Sequence, residues 1–493
     1  MNPLSHHDTL RIDADRDWPL FDTLTTRNIE SQAQAQLPAH TLMQRAGLAV
    51  AQLALAIAPH SQRVWIACGA GNNGGDGLEA AIHLHQWGKE VHLTWLGESS
   101  KVPTDSRLAF ERFTAAGLVC HEAPPESWDL AIDALLGIGG SRAPEGRMAD
   151  WLTAMHRHCA PLLQVDLASG LSADTGVWLG APTERQAPLH TLSLLTLKPG
   201  LFTADGRDAS GQVWWNPLGV TTESTPSALL QKAQATWPKR LQNSHKGHFG
   251  DVVVVGGAPS MTGAALLAGH AALRAGAGRV WVGLLDEASR PSAAAAHPTL
   301  MLREAAQILA QMDLRQANVV CGCGGGDAVR QVMPRLLSES ESLVIDADGL
   351  RALQDPALMT LLQRRAARSR RTVLTPHPLE AALLLGCTAA HVQQDRLHAA
   401  QTLATQTQSV VLLKGSGTVV AQTGQWPVIN ATGSPRLASA GSGDVLAGLI
   451  GALMAQGLSA HAAACAGAAH HGSVADHWPD GRAFDAMQLT QRL

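Results

Sequence analysis

Val64-Trp65-Ile66-Ala67-Cys68-Gly69-Ala70-Gly71-Asn72-Asn73-Gly74-Gly75-Asp76-Gly77 joins a short apolar run to a glycine-rich stretch, and the helical run Leu78 to Trp87 follows. An apolar run of that length bounded by glycine reads as a buried strand. The glycine-rich segment is then a loop at the carboxyl end of a parallel strand, where open α/β sheets bind ligands. Glycines let a ligand approach the backbone, Asn72 and Asn73 supply amide donors and acceptors, and Asp76 can accept from a sugar hydroxyl. The spacing matches neither G-x-G-x-x-G nor a Walker loop, so neither motif supplies the reading.

Working outward, the same alternation continues in both directions. Leu42, Ala46, Ala49, Val50, Leu53 and Ile57 recur at helical spacing upstream, and Pro59 closes that segment. Downstream, Val91 to Leu96, Leu130 to Asp133, Leu162 to Asp166 and Leu192 to Leu195 read as further buried strands separated by helix-length stretches. Strand and helix in alternation predict a parallel sheet with crossover helices. Between Trp215 and Ser244 the chain turns to Pro, Ser, Thr and Gln without an apolar period, as a linker does. A second α/β series then runs through Val252 to Val255, Val280 to Val282, Val319-Val320, Leu343 to Ile345, Val373-Leu374, Val410 to Leu413 and Val419-Val420. The break falls near residue 230.

Composition narrows the function. A chain of 493 residues exceeds one ordinary core, and a prior of roughly 150 residues per domain allows about three domains or two large ones. Thirty-seven Lys plus Arg stand against 41 Asp plus Glu, a formal charge of -4 with no basic block, so no nucleic-acid partner is expected. Seven scattered cysteines carry no framework spacing, and Cys321-Gly322-Cys323 lacks the second pair of a zinc site; reduced thiols in a cytoplasm are the economical reading. Met1 to Trp18 has no secretory apolar core and no run of about 18 apolar residues follows, so no membrane partner is expected either.

Carboxylates close several strands. In the N-terminal half these are Asp133, before Ala134-Leu135-Leu136-Gly137-Ile138-Gly139-Gly140, and Asp166, before Leu167-Ala168-Ser169-Gly170. An isolated Asp-Gly or Ser-Gly pair is as often a turn or a cap, but three such loops in strand order converge on one pocket. In the C-terminal half, strand exits carry Gly256-Gly257, Gly322 to Gly326, Asp346-Ala347-Asp348, Thr375-Pro376-His377-Pro378-Leu379-Glu380 and Lys414 to Thr418. Ala440-Gly441-Ser442-Gly443-Asp444-Val445-Leu446-Ala447-Gly448 completes that series at the mouth of an apolar helix. Its amides suit a polyphosphate, and the adjacent carboxylate can take a proton. His377 as a rigid turn and Lys414 as a solvated strand end are the structural alternatives.

Cys68 to Gly77, Asp133 to Gly139, Val165 to Leu171 and Leu197-Lys198-Pro199-Gly200-Leu201 resemble the epimerase domain of the bifunctional NAD(P)H-hydrate repair enzymes, from about Met43 to about Gly219. From His245 onward the ordered set resembles their ADP- or ATP-dependent dehydratase domain. The resemblance implies a two-domain α/β protein: a Rossmann-like parallel-sheet domain over 1–225 and a ribokinase-like α/β domain over 226–493. It implies interconversion of the R and S epimers of NADHX and NADPHX at C6, then dehydration of the S form with ADP giving AMP plus phosphate. By position, Asn72, Asn73, Gly74, Gly75, Asp76, Gly137, Ile138, Gly139, Gly140, Ser141, Arg142, Ala143 and Asp166 would contact the hydrated dinucleotide. Asn73, Asp133 and Ser169 would hold potassium, and Asp166 is the candidate acid or base; Lys198 is read either as its electrostatic support or as a Lys-Pro turn.

In the second domain the resemblance places Lys414, Gly415, Ser416, Gly417, Thr418 and Gly443 around the adenine nucleotide, with magnesium on its phosphates. Ala264, Gly324, Gly326, His377 and Asp444 would surround the hydrated nicotinamide, with Asp444 as general base. It further implies an assembly of identical chains. Two departures stand out: Leu78 replaces an aromatic residue after Asp-Gly, and Gly322-Cys323-Gly324-Gly325-Gly326 replaces Gly-Pro-Gly-Leu-Gly. Ribokinase-like folds also phosphorylate small molecules and release the product, so a kinase with an N-terminal nucleotide-binding module is the alternative reading.

Overall fold

The computed structural model describes residues 8–98, 101–182, 184–233 and 240–493. The chain divides into two compact units, one up to Ala228 apart from Ala14–Asp17, the other comprising Leu229–Leu493 with Ala14–Asp17. Among the described residues no helix is long and apolar enough to cross a membrane.

In the first unit the apolar runs become strands β1 (Arg63–Cys68), β2 (Glu90–Trp95), β3 (Cys120–His121), β4 (Leu130–Ala134), β5 (Leu162–Val165), β6 (Leu189–Leu194) and β7 (Gln212–Asn216). They lie side by side in the order β7-β6-β5-β4-β1-β2-β3, all parallel, with Leu10–Arg11 antiparallel against β7. Helices α1 (Thr23–Gln36), α2 (Thr41–Ile57), α3 (Asn72–Gln86), α4 (Thr104–Ala115) and α5 (Arg147–Arg157) intervene. The helical spacing read upstream is the buried stripe of α2: Leu42, Ala46, Ala49, Val50 and Leu53 pack in the core with Val64, Ile66, Leu78 and Leu93. Each leucine, valine or isoleucine among them contributes about 1.5–3 kcal/mol on removal from water, and the alanines less. Strand order reverses between β1 and β4, so the loops leaving those two strands flank a switch point, the place where such sheets take ligands.

The glycine-rich segment after β1 is not the loop the sequence reading expects. The helix begins at Asn72, with Gly71 as its cap, so Asn73, Gly74, Gly75 and Asp76 form its first turns. Gly74 is required there, because a Cβ would overlap the carbonyl oxygen of Gly69. Helical propensity disfavours consecutive glycines, and the fit against the β1 exit overrides it.

The second unit holds β8 (Asp251–Gly256), β9 (Arg279–Leu284), β10 (Met301–Glu304), β11 (Asn318–Cys321), β12 (Ser342–Ile345), β13 (Arg371–Leu374), β14 (Val410–Leu413), β15 (Val419–Ala421) and β16 (Val428–Asn430). Their order is β10-β9-β8-β11-β12-β13-β14-β15-β16, parallel as far as β14. The last two joins, β14 to β15 and β15 to β16, are antiparallel, which an uninterrupted βα alternation does not anticipate. Here too the order reverses, between β8 and β11. Helices α6 (Thr262–Arg274), α7 (Pro378–Leu385), α8 (Arg396–Thr407), α9 (Ser442–Ala455) and α10 (Ala460–Asp476) bear on the site. The stretch read as linker is partly ordered into the sheet: Ala228–Gln231 runs parallel to β16, and Gln212–Asn216 is β7. Residues 234–239 of that stretch lie outside the described residues.

Candidate active sites

The switch point of the first unit opens into a cavity of about 480 Å³. Asn72, Asn73, Asp76, Gly137, Ile138, Gly139, Gly140 and Asp166 line it, in keeping with their expected place, whereas Gly74, Gly75, Ser141, Arg142 and Ala143 are not in its wall. Gly74 and Gly75 are buried in the first turn of α3, and Ser141 and Arg142 are exposed on the loop beyond. The first amides of α3 have no intrahelical acceptor, and Gly71 offers no side-chain cap, so that end of the cavity favours an anion.

Asp166 follows β5 directly and sits in the left-handed region at φ 70°, a conformation that aspartate tolerates better than most residues and that must be held by its surroundings. Three contacts hold it. Its amide donates to Leu192 O at 2.8 Å, Leu194 N donates to Oδ1 at 3.2 Å, and the Lys198 ammonium pairs with the same oxygen. Lys198 is buried, and its Nζ also donates to Leu194 O at 2.8 Å. Lys198 is thus ion-paired with Asp166 in the wall of the cavity.

Asp76 differs from its expected part as an acceptor. Burial first, then the charges of Asp166, Glu30 and Glu79, push its carboxyl well above the usual range, which weakens it as an acceptor. Asp133, at the end of β4, is fully buried and accepts from Ser169 Oγ at 2.7 Å, Ser169 N at 3.1 Å and Leu135 N at 3.1 Å. Ser169 Oγ also lies against Leu136, whose neighbour Gly137 sits close to Asn73 Oδ1. Asp133 and Ser169 therefore meet at one strand edge, and Asn73 lies against the Gly137 turn that leaves it. Leu78 is fully buried in the core, so no stacking surface faces the cavity from that position.

In the second unit Asp444 stands in the first turn of α9, whose cap Gly441 has φ 87° and offers no side chain to the free amides. His471 Nε2 lies 3.0 Å from Ser442 O and Ser442 Oγ donates to Leu437 O at 2.7 Å, fixing that turn. Cys323 Sγ and carboxylate oxygens of Asp346 and Asp444 fall within 4.8 Å of one another, and the Cys323 thiol donates to Asp444. Burial first, then the Asp346 charge, raise Asp444 to about 7; the Cys323 hydrogen bond and Lys414 pull it back. Burial keeps the Cys323 thiol protonated.

Lys414 is no solvated strand end. Its Nζ pairs with Asp346 Oδ1 at 2.8 Å and lies 4.0 Å from Glu380 Oε2, and a Cβ on Gly443 would be 3.3 Å from it. Lys414, Asp346, Gly443 and Asp444 thus share one point. Gly415 to Thr418 continue as a bend between β14 and β15, with Arg396 of α8 donating to Leu413 O and Lys414 O behind it. Gly324 packs close to Ala264, and Gly326 N donates to Asp348 Oδ2 at 2.8 Å.

His377 caps α7. Its Nδ1 accepts from Leu379 N and Glu380 N while Glu380 Oε2 accepts from His377 N at 2.8 Å. One ring nitrogen is thereby committed to structure, and the other lies 3.3 Å from Glu380 Oε1 on a side chain that is 47% exposed.

The sequence reading gives no role to Asp346, Glu380 or Cys323, nor to Thr26, Arg27, Glu30 and Leu195 in the first cavity. Asp346 was legible as a carboxylate at a strand exit, and Glu380 as the fourth residue of a capping box. Glu30 carries no motif; only the packing of α1 brings it to the cavity.

Comparison with known proteins gives two family matches: residues 252–493 match the NAD(P)H-hydrate dehydratase family and residues 39–200 the YjeF-related protein N-terminus family. The bifunctional NAD(P)H-hydrate repair enzyme Nnr of Escherichia coli (strain K12) is 37% identical over 452 residues, covering 89% of this chain and 85% of the relative. The protein of that name from Moorella thermoacetica is 35% identical over 512 residues, covering 94% and 92%. Among solved structures, the ADP/ATP-dependent NAD(P)H-hydrate dehydratase from Bacillus subtilis, co-crystallized with ATP/Mg2+, is 30% identical with a TM-score of 0.44, covering 52% of this chain and 91% of that one.

Proposed function

Since the chain belongs to the bifunctional NAD(P)H-hydrate repair enzymes, we propose that it restores hydrated NADH and NADPH in two steps carried by its two units. We assign the epimerase to residues 1–225 and the nucleotide-dependent dehydratase to 226–493. Spontaneous hydration gives both C6 epimers while elimination accepts one, so an epimerase joined to the dehydratase drains both.

For dehydration, hydroxide is a poor leaving group and a phosphate ester a good one. Asp444 accepts the proton of the C6 hydroxyl as its oxygen attacks the terminal phosphoryl of ADP, AMP departs, and loss of phosphate with the C5 proton regenerates the dihydronicotinamide. The observation that carries this reading is the meeting of Asp444, Asp346 and Lys414 at the uncapped first turn of α9. A base near pKa 7 is matched to neutral pH, and the amides of Gly443 and Asp444 with Lys414 offset the charge growing on the phosphoryl oxygens. Magnesium would enter with the nucleotide and neutralise phosphate charge. We place Lys414 to Thr418 and Gly443 on the nucleotide, and Ala264, Gly324, Gly326 and His377 on the nicotinamide side.

For epimerisation, Asp166 is the base and the first turn of α3 binds the pyrophosphate. Potassium fits beside it: Asp133 is a buried carboxylate with no basic partner among the described residues, and Ser169 Oγ and Asn73 Oδ1 add hard oxygens. The seven cysteines are unpaired, which supports a reducing cytoplasm.

The test is a mixed-epimer assay with ADP in which phosphate release and recovery of the reduced-nicotinamide absorbance are followed together. Equal release and recovery is expected. A stable phosphorylated product without recovery of absorbance would make the C-terminal unit a kinase instead.

A further inference from the structure

Helix α1 brings a face with no assigned role to the epimerase cavity: Thr26, Arg27 and Glu30 line it, at the one- and four-residue spacing that shares a helix side. This helix is anchored. Asp22 caps it through Thr25 N, Thr23 N and Oγ1 donate to Asp174 Oδ1 at 2.7 and 2.9 Å, and the Thr26 and Thr196 hydroxyls are 2.8 Å apart. The last contact ties α1 to the segment that carries Lys198. Glu30 is therefore held on a rigid element in the wall that Asp166 and Lys198 also line.

The two carboxyls have opposite surroundings. Asp166 has the Lys198 ammonium and the Leu194 amide on Oδ1. Glu30 has no such hydrogen-bonded partner among the described residues: burial first and the Asp166 charge second raise it, Asp105 adds to this, and Lys198 and Arg27 oppose it. One cavity thus holds two carboxyls with different surroundings on separate elements, an arrangement that can divide acid and base roles between them.

We propose that Glu30 is the second proton-transfer group of the epimerase, the acid that works opposite Asp166. The inference rests on the epimerase reading of this cavity. Asp166 takes the proton of the C6 hydroxyl; the O–H electrons form C=O, the C6–N1 bond breaks, and its pair goes to N1. Glu30 delivers its proton to N1, giving an aldehyde and a ring-opened enamine. Rotation about C5–C6 presents the other carbonyl face. N1 then attacks C6 and returns its proton to Glu30, and Asp166 returns its own to the oxygen, so nothing is consumed.

The experiment measures epimerisation of purified R-NADHX by the full-length protein without nucleotide, as a function of pH, with a thermal melt of each variant. Wild type should lose activity at high pH as Glu30 ionises. Glu30→Gln should keep its KM, lose about 10²- to 10⁴-fold in kcat and lose the alkaline limb. Glu30→Asp should recover part of kcat with that limb moved to lower pH, and it carries the test if Glu30→Gln does not fold. Wild-type kcat and alkaline limb in both Glu30 variants, or a change confined to KM, would overturn the proposal. A wild-type protein that does not epimerise at all would instead remove the epimerase reading beneath it.

Discussion

At the residue scale, the environment of Asp444 decides how the dehydratase responds to pH. A general base must be ionised, and burial beside Asp346 raises this one to about 7, so the dehydration rate should rise with pH through about 7 and level off above it. Cys323 donates to the ionised form and lowers that midpoint. Cys323→Ala should therefore shift the acid limb upward, and an unchanged limb would mean the thiol does not reach the carboxylate in solution. Cysteine at this position adds a donor that the proline of Gly-Pro-Gly-Leu-Gly lacks. Asp444→Asn should lower dehydration by about 10²- to 10⁴-fold, read as loss of nicotinamide absorbance recovery.

At the scale of single elements, both sites depend on a helix whose first turn is left uncapped at a switch point. In α3 the turn is set by close packing: Gly74→Ala places a methyl group against the Gly69 carbonyl and should cost about 1–3 kcal/mol, visible as a lowered Tm together with lost epimerisation. In α9 the corresponding change is mild for the fold, since a Cβ at 443 meets Lys414 Nζ at 3.3 Å and Asp346 Oδ2 at 3.7 Å and no backbone atom. Gly443→Ala should leave Tm nearly unchanged and raise KM for ADP. Strand positions were readable because buried strands are continuous apolar runs, and the strand-exit carboxylates followed from them. The start of α3 was not, because consecutive glycines read as loop until the β1 exit they pack against is known. The turn from parallel to antiparallel at β15 was equally silent, since Val419-Val420 looks the same in either direction. Glu30 and Asp346 act through neighbours distant in sequence, and no local pattern announces such partners.

At the scale of the whole molecule, the proposal gives the chain two reactions with separate chemical requirements. Replacing potassium by sodium or choline should slow epimerisation and leave dehydration of pure S-NADHX unchanged, and equal losses in both would contradict a cation site at Asn73, Asp133 and Ser169 alone. The central claim is that a carboxylate in each unit serves one step. It is tested most directly by giving ADP and either pure R- or pure S-NADHX to Asp166→Ala and Asp444→Asn, with absorbance recovery and epimer ratio as readouts. The account predicts that Asp166→Ala restores the cofactor from S but not from R beyond spontaneous epimerisation, while Asp444→Asn equilibrates the epimers and restores neither. Loss of both steps in either variant, with both proteins folded, would contradict it.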